Sequence, residues 1–153
     1  MSEQRQEQMW ERVFFRMESR SCNEQFARVV VAVFASRLDP TMEELSDIKT
    51  AVSEAVTNAI IHGYEEGDGV VEVEAAAEPA LRELEVIVRD YGKGIADVAK
   101  AREPFFTTKS ASERSGMGFS FMEAFMDTLE VESEPGKGTT VRMTKRIGRD
   151  DSV

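Results

Sequence analysis

Two polar side chains four residues apart, Glu54 and Asn58, have the chemistry that a nucleotide site needs. Residues at this spacing lie one above the other on one face of an α-helix. A carboxylate can accept a proton or orient a water molecule, and an amide oxygen can hold Mg²⁺. Because most such pairs are simply solvated, the other motifs of the chain must decide between a site and an ordinary surface.

Two glycine motifs later in the chain suit the same kind of ligand. Asp90-Tyr91-Gly92-Lys93-Gly94 follows a predicted strand, where glycines permit a tight turn and a close approach to a flat ligand, and the Asp90 carboxylate can accept from an exocyclic amine such as that of adenine. Gly116-Met117-Gly118 precedes a predicted helix, whose free N–H groups suit a phosphate. Possible phosphate donors lie just upstream: Thr107, Thr108, Lys109 and Arg114. Each motif alone also fits a plain turn or a flexible basic loop.

A long helix is predicted to carry Glu54 and Asn58. Thr41 and Glu44 form a capping-box pattern at its start, and Gly63 ends it. Its core stripe is predicted to be Leu45, Ile48, Val52, Ala55, Val56 and Ala59.

An earlier helix is predicted to begin with a capping box of Ser21 and Glu24 and to run to about Leu38, before Asp39-Pro40. Arg28 is expected to point away from its core. That core stripe is predicted to be Phe26, Val30, Val33 and Phe34.

The remaining segments predict strands and a flap. Period-2 alternation indicates five strands: 12–18, 71–75, 84–88, 129–133 and 141–143. Residues 97–116 are expected to be a mobile flap, followed by a helix near Gly118 with Phe121, Met122, Phe125 and Met126 in the core. The order is β α α β β, flap, α β β. Its short turns favour an α+β two-layer sandwich, with a mixed, mostly antiparallel sheet and helices on one face.

Composition limits the partners and the compartment. The 153 residues predict one domain over 9–147, with a flexible N-terminal extension at 1–8 and a flexible tail at 148–153. The formal net charge of −10 repels nucleic acid and anionic membranes. The single Cys22 excludes an intrachain disulfide, so a reducing cytoplasm is the expected compartment. No run of apolar residues has membrane-spanning length.

The order of the motifs is more specific than any one of them. The chain has no P-loop and no eukaryotic-type kinase signature. Instead Glu54-x-x-x-Asn58, Asp90-x-Gly-x-Gly94, Phe106–Lys109, Gly116-x-Gly118 and Gly138–Thr140 follow one another. This arrangement resembles the N, G1, F/T and G2 boxes of the GHKL (Bergerat-fold) ATPase superfamily.

Within that superfamily the chain is similar to the anti-sigma-F family of sporulation, from about Met9 to Ile147. The stretches that carry the resemblance are 26–29, 38–42, 52–64, 106–109 and 113–119. Two departures are the extension at 1–8 and Ser110, where relatives often have proline. The resemblance implies a homodimer that binds ATP and Mg²⁺, inhibits sigma-F, and acts as a protein serine/threonine kinase on an anti-anti-sigma factor.

The resemblance also implies roles for individual residues. Glu54 would be the general base, Asn58 the Mg²⁺ ligand, Asp90 the adenine reader and Arg28 a partner contact. Gly92, Gly94 and Thr140 would line the base. The flap that closes on the phosphates would contain Thr107, Thr108, Lys109, Arg114, Ser115, Gly116 and Gly118.

Two alternative functions remain open at this point. One is the related anti-sigma kinase of the general stress response, and the other is an ATP-gated binding module without kinase activity. Glu54 argues against the second, since a binding-only site has no need of a base. A complete sensor histidine kinase is excluded because it needs a phosphoaccepting histidine on a separate dimerisation helix. The only histidine, His62, ends the Glu54 helix.

Overall fold

A computed structural model of the chain describes residues 9–103 and 115–148, and of residues 115–118 it describes the backbone alone. The predicted N-terminal extension at 1–8 and most of the predicted tail lie outside the described residues, as does the greater part of the predicted flap. The strands are β1 (Glu11–Glu18), β2 (Val70–Glu78), β3 (Glu83–Asp90), β4 (Thr128–Glu134) and β5 (Gly138–Arg146). The helices are α1 (Cys22–Ala35), α2 (Met42–Asn58), α3 (Val98–Ala101) and α4 (Ser115–Phe125).

The five strands form one sheet in the order β1-β2-β3-β5-β4. All four pairings in the described part of the chain are antiparallel. Side chains of alternate residues enter a single core with the buried faces of α1, α2 and α4, among them Ile48, Val73, Val86, Met122 and Met143. The predicted α+β two-layer sandwich is therefore confirmed.

The other face of the sheet carries a row of ion pairs across the strands. Arg12 of β1 contacts Glu74 of β2 at 3.0 Å and Glu85 of β3 at 3.8 Å. Arg142 of β5 contacts Glu85 at 2.6 Å and Glu130 of β4 at 3.8 Å. The sheet thus has one apolar face that the helices cover and one face of alternating charge that meets water.

Helix α2 begins as the sequence predicts. Thr41 has an extended backbone, its hydroxyl accepts from the Glu44 N–H at 3.1 Å, and the Glu44 carboxylate accepts from the Thr41 N–H at 2.9 Å. The helix then widens into one π turn over Ala59–Gly63, in which the Tyr64 N–H donates to the Ala59 carbonyl. This single wide turn lies next to the candidate site, where π turns are frequent.

Helix α1 differs from the prediction in its cap and its core face. Ser21 has a helical backbone instead of the extended one that a capping residue typically adopts, and its side chain makes no cap hydrogen bond. Phe26 and Val33 of the predicted stripe are 55% and 69% exposed. Phe34 is buried as predicted, and the rest of the buried face consists of Ala27, Val31, Ala32 and Ala35.

Helix α4 begins at Ser115, three residues before the predicted start at Gly118. Phe119 and Met122 are buried, as is Met126 just beyond the helix, whereas Phe121 is 38% exposed and stacks on Phe125. The predicted core role thus holds for part of the set. Among the described residues, no helix is long and apolar enough to cross a membrane.

Candidate functional site

A cavity of about 220 Å³ opens where the end of α2, the end of β3 and the start of β5 meet. Most of its walls are apolar, as a flat aromatic ligand requires. The lining residues are Ala55, Asn58, Ala59, His62, Gly63, Val88, Asp90, Lys93, Gly94, Ile95, Ala101, Phe119, Thr139 and Val141. We call this the base pocket.

Asp90 is the buried acid of the base pocket and is only 5% exposed. Burial raises the pKa of its carboxyl above the usual range, although hydrogen bonds from the Gly92 and Thr139 backbone N–H groups act in the opposite direction. The Gly92 N–H lies 2.9 Å from Oδ1. A fixed carboxylate among apolar walls is a strong acceptor for a ligand amine, because there is little competing water.

Gly92 and Gly94 permit the tight turn after Asp90 in two different ways. A Cβ on Gly92 would lie 1.9 Å from the Gly63 carbonyl oxygen, so a larger residue would separate the turn from α2. Gly94 has φ +75° and lines the base pocket. Gly92 is absent from the lining residues and acts by packing.

The structure corrects the position of Thr140. Its hydroxyl lies on the outer face of the sheet, where Arg89 Nε donates to it at 3.3 Å, and Thr139 lines the base pocket instead. Successive side chains of a strand point to opposite faces, so a shift of one residue moves the contact to the other face.

A second, wider depression of about 1060 Å³ runs between α1 and α2. We call it the groove, and its lining includes Glu54, Arg28 and Glu24. Arg28 pairs with Glu24 at 3.8 Å and lies off the core, as the sequence predicts. Asn58 and His62 line both the groove and the base pocket, so the two depressions meet at these side chains.

The Asn58 side chain suits a metal-nucleotide contact. Its Nδ2 is buried and has no hydrogen-bond partner among the described residues, so this donor is available to an acceptor on a ligand, such as a phosphate oxygen, while the amide oxygen is the atom that could bind a metal. The described residues hold no group of three or more His, Cys, Asp or Glu that could bind a metal by itself. Mg²⁺ commonly takes only one or two protein oxygens and completes its shell with phosphates and water. An amide oxygen at the edge of a nucleotide pocket could therefore be one of those protein ligands.

The remaining predicted residues belong to the segment that leads into α4. Ser115, Gly116 and Gly118 lie in the first turn of α4, and Phe119 in the next turn lines the base pocket. The free N–H groups of that turn are therefore near the pocket. Thr107, Thr108, Lys109 and Arg114 lie outside the described residues.

Several residues of the site were missed by sequence reasoning. Ile95 and Thr139 lie on the walls of the base pocket, and His62 lies at its junction with the groove. Ser133 supports the wall: its hydroxyl accepts from the Ile95 N–H at 2.7 Å and lies 2.8 Å from the Thr139 hydroxyl. Thr139 could have been found from the Gly138-Thr139-Thr140 box, because either of its two threonines fits the motif equally well.

Comparison with known proteins agrees with this architecture. Residues 19–145 match the family model described as histidine kinase-like ATPase domain. An anti-sigma F factor of Thermoanaerobacter sp. (strain X514) is 61% identical over 132 residues, which are 86% of this chain and 91% of that protein. An anti-sigma F factor of Geobacillus kaustophilus (strain HTA426) is 54% identical over 136 residues, 88% of this chain and 92% of that protein.

Two solved structures share the fold at low sequence identity. One contains the RsbU and RsbW domains of Rv1364c from Mycobacterium tuberculosis, with a TM-score of 0.64 and 20% identity, and the match covers 90% of this chain and 32% of that one. The other is the histidine kinase domain of a blue-light activated histidine kinase from Erythrobacter litoralis, with a TM-score of 0.52 and 19% identity, covering 81% and 61%. The match to the histidine kinase-like ATPase model over residues 19–145, and the identity of 54–61% to anti-sigma F factors over most of both chains, show that the chain belongs to the anti-sigma F factor family of histidine kinase-like (GHKL) ATPase domains.

Proposed function

We propose that this chain is a cytoplasmic anti-sigma factor that binds and inhibits sigma-F in an ATP-dependent manner and phosphorylates its anti-anti-sigma factor on serine. The observation that carries the proposal is the junction at Asn58, where a pocket for a flat base opens into a groove that holds Glu54 and Arg28. A nucleotide in the pocket then presents its phosphates to a partner in the groove. The names of the relatives support the anti-sigma role.

The chemistry of the proposed kinase follows from the positions of three side chains. Asp90 accepts from the adenine amine, and Asn58 would hold Mg²⁺ through its amide oxygen, where the metal would neutralise phosphate charge. The partner's serine oxygen attacks the γ-phosphorus while Glu54 accepts the hydroxyl proton. The bond from the γ-phosphorus to the β,γ-bridging oxygen breaks, and the products are ADP and phosphoserine.

The phosphates need further donors, and we assign them to the segment before and at the start of α4. Lys109 and Arg114 supply charge, Thr107 and Thr108 supply hydroxyl donors, and the backbone of Ser115, Gly116 and Gly118 supplies N–H groups. Closure of this segment on ATP is also the proposed reason that partner binding depends on the nucleotide.

We infer a homodimer from the outer side of α1 and from the edge of β1, which pairs with no strand on its outer side in the described part of the chain. Phe26 and Val33 are 55% and 69% exposed, and Phe26 packs edge-to-face on Phe15 of β1 at 6.0 Å. Large apolar side chains beside an open strand edge are typical of an interface. Val33→Glu should shift the protein toward monomer in sedimentation velocity. Met42→Glu, at an 83% exposed apolar residue elsewhere, is the matched control and should not.

The function is tested by phosphoryl transfer. The protein is incubated with γ-labelled ATP and, separately, with the anti-anti-sigma factor of sporulation and that of the general stress response; Glu54→Gln is the control. Labelled serine on the sporulation partner alone supports the proposal. Transfer to the stress-response partner alone favours the related stress-response kinase, and nucleotide-dependent sigma-F binding without any transfer favours an ATP-gated binding module.

A further inference from the structure

The turn that carries Asp90 is fixed on two sides by the end of α2. The Gly63 carbonyl accepts from the Lys93 N–H at 2.9 Å, and the Tyr64 hydroxyl accepts from the Tyr91 N–H at 2.8 Å. Asp90 is the neighbour of Tyr91 in sequence, and its carboxylate lies against the Gly63 backbone, where an added Cβ would be 2.7 Å from Oδ1. The adenine-reading carboxylate is therefore placed by the last residue of the π turn and by the residue that follows it.

The Tyr64 side chain has little freedom to release its half of this support. Its hydroxyl accepts from Tyr91 and donates its only proton to the Val70 carbonyl at 2.5 Å. Its ring packs on Gly69, where an added Cβ would lie 2.3 Å from Cε1. A hydroxyl that both donates and accepts on a ring packed in this way has a defined position and a defined proton direction.

We propose that Tyr64 is a positioning residue for adenine recognition, which acts through the Tyr91 backbone on the Asp90 carboxylate. This inference rests on the proposed role of Asp90 in reading adenine. Base discrimination depends on the carboxylate meeting the exocyclic amine at hydrogen-bond distance, and a displacement of a few tenths of an ångström weakens such a contact. Tyr64 therefore sets the preference for adenine over guanine without touching the nucleotide.

The chain offers a matched pair of hydroxyl deletions on the two sides of the same turn. Tyr64→Phe keeps the ring and removes the oxygen that holds the Tyr91 N–H. Tyr91→Phe removes a hydroxyl that donates to Glu72 at 2.9 Å on the outer face of the sheet, one residue from Asp90. Both variants lose one tyrosine hydroxyl, but only Tyr64→Phe removes a hydrogen bond to the backbone next to Asp90.

The experiment measures ATP and GTP dissociation constants by calorimetry for the wild type, both variants and Asp90→Asn, with a melting temperature for each. Tyr64→Phe should weaken ATP binding by about 2- to 13-fold, the range for one neutral hydrogen bond, with less effect on GTP. Tyr91→Phe should keep the wild-type ratio of ATP to GTP affinity. If Tyr64→Phe does not fold, Gly69→Ala is the second variant. Its added Cβ would lie 2.3 Å from Tyr64 Cε1 and would displace the ring while the hydroxyl is kept. This variant should also lower the ratio of ATP affinity to GTP affinity.

The outcomes separate this inference from the proposed function. If the wild type binds ATP and GTP with equal affinity, or if Asp90→Asn keeps the wild-type preference for ATP, the adenine-reading role itself fails. If the wild type prefers ATP, Asp90→Asn loses the preference, and the Tyr64 variant keeps the full ratio, Tyr64 does not position Asp90. A lower melting temperature with an unchanged ratio would make Tyr64 purely structural and would overturn the inference.

Discussion

Replacing Glu54 with glutamine should separate phosphoryl transfer from nucleotide binding. Glu54 lines the groove and not the base pocket, whereas Asn58 lines both. A base contributes when the serine hydroxyl loses its proton and contributes little to ground-state ATP binding. The glutamine variant keeps the size of the side chain and its acceptor oxygen but cannot take the proton.

The expected changes in rate and in affinity follow from the separation of Glu54 from the base pocket. Loss of general-base catalysis lowers the rate of partner phosphorylation by about 10²- to 10⁴-fold, roughly 3–5 kcal/mol of barrier. The ATP dissociation constant should stay within about a factor of two, because no contact of the base pocket changes. Sigma-F capture, which depends on the ATP-bound state, should also be kept.

Single-turnover phosphorylation of the anti-anti-sigma factor, calorimetry with ATP and a sigma-F pull-down measure the three quantities. Asn58→Ala is the contrasting variant, and it should weaken ATP binding, phosphorylation and sigma capture together. Wild-type phosphorylation by Glu54→Gln would refute the assignment of the base. Loss of ATP and sigma-F binding together with kinase activity would show that Glu54 is a structural part of the site.

Three other predictions concern Asp90, Arg28 and Glu44. Asp90→Asn should weaken adenine nucleotide binding by about 1–3 kcal/mol in calorimetry, and GTP should compete poorly with ATP for the wild type. Because burial raises the pKa of Asp90, wild-type ATP affinity should fall on acidification before the usual aspartate range is reached; a flat pH profile there would contradict its role. Arg28→Ala should weaken sigma-F binding and leave the melting temperature nearly unchanged, whereas the opposite pattern would make Arg28 structural. Two effects act on the pKa of Glu44 in opposite directions. Partial burial acts to raise it, whereas hydrogen bonds from the Thr41 and Gly148 N–H groups and from the Thr41 hydroxyl act to lower it. The hydrogen bonds outweigh burial, so the pKa of Glu44 in the folded state lies below the ordinary 4.5. Its contribution to the free energy of unfolding is therefore full above pH 4.5 and is lost as the pH falls through the lower folded-state pKa, and Glu44→Gln should flatten that part of a denaturation-versus-pH curve.

Local signals in the sequence were enough to predict α2 and its cap. The capping box of Thr41 and Glu44 involves residues three apart, and both of its hydrogen bonds form. The same pattern at Ser21 and Glu24 fails, because β1 delivers the chain with Ser21 already helical and Asn23 Nδ2 donating to the Glu18 carbonyl. The difference lies in the preceding segment, which a short motif does not contain.

The face of α1 and the register of β5 depend on contacts between distant elements. Phe26 and Val33 are more apolar than Ala27, so periodicity favoured them for the core, yet both are exposed and Ala27 is fully buried. Thr139 and Thr140 are chemically identical, and only the pairing of β5 with β3 decides which one enters the base pocket. The family boxes predicted which segments meet at the site, but not which of two neighbouring side chains faces inward.

The π turn at Ala59–Gly63 places one more residue in a turn than a regular helix has. Each residue of an α-helix advances the chain by about 100°. The wide turn therefore absorbs an extra residue, because its closing bond from the Tyr64 N–H to the Ala59 carbonyl spans five residues where a regular helix spans four. If the same residues were wound as a regular helix, Gly63 and Tyr64 would be rotated by about a quarter turn relative to Glu54 and Asn58 and would leave the Asp90 turn. A chain one residue shorter in this segment could reach the Asp90 turn as a regular helix, so the π turn keeps the reader of the nucleobase in register with the base and the metal ligand.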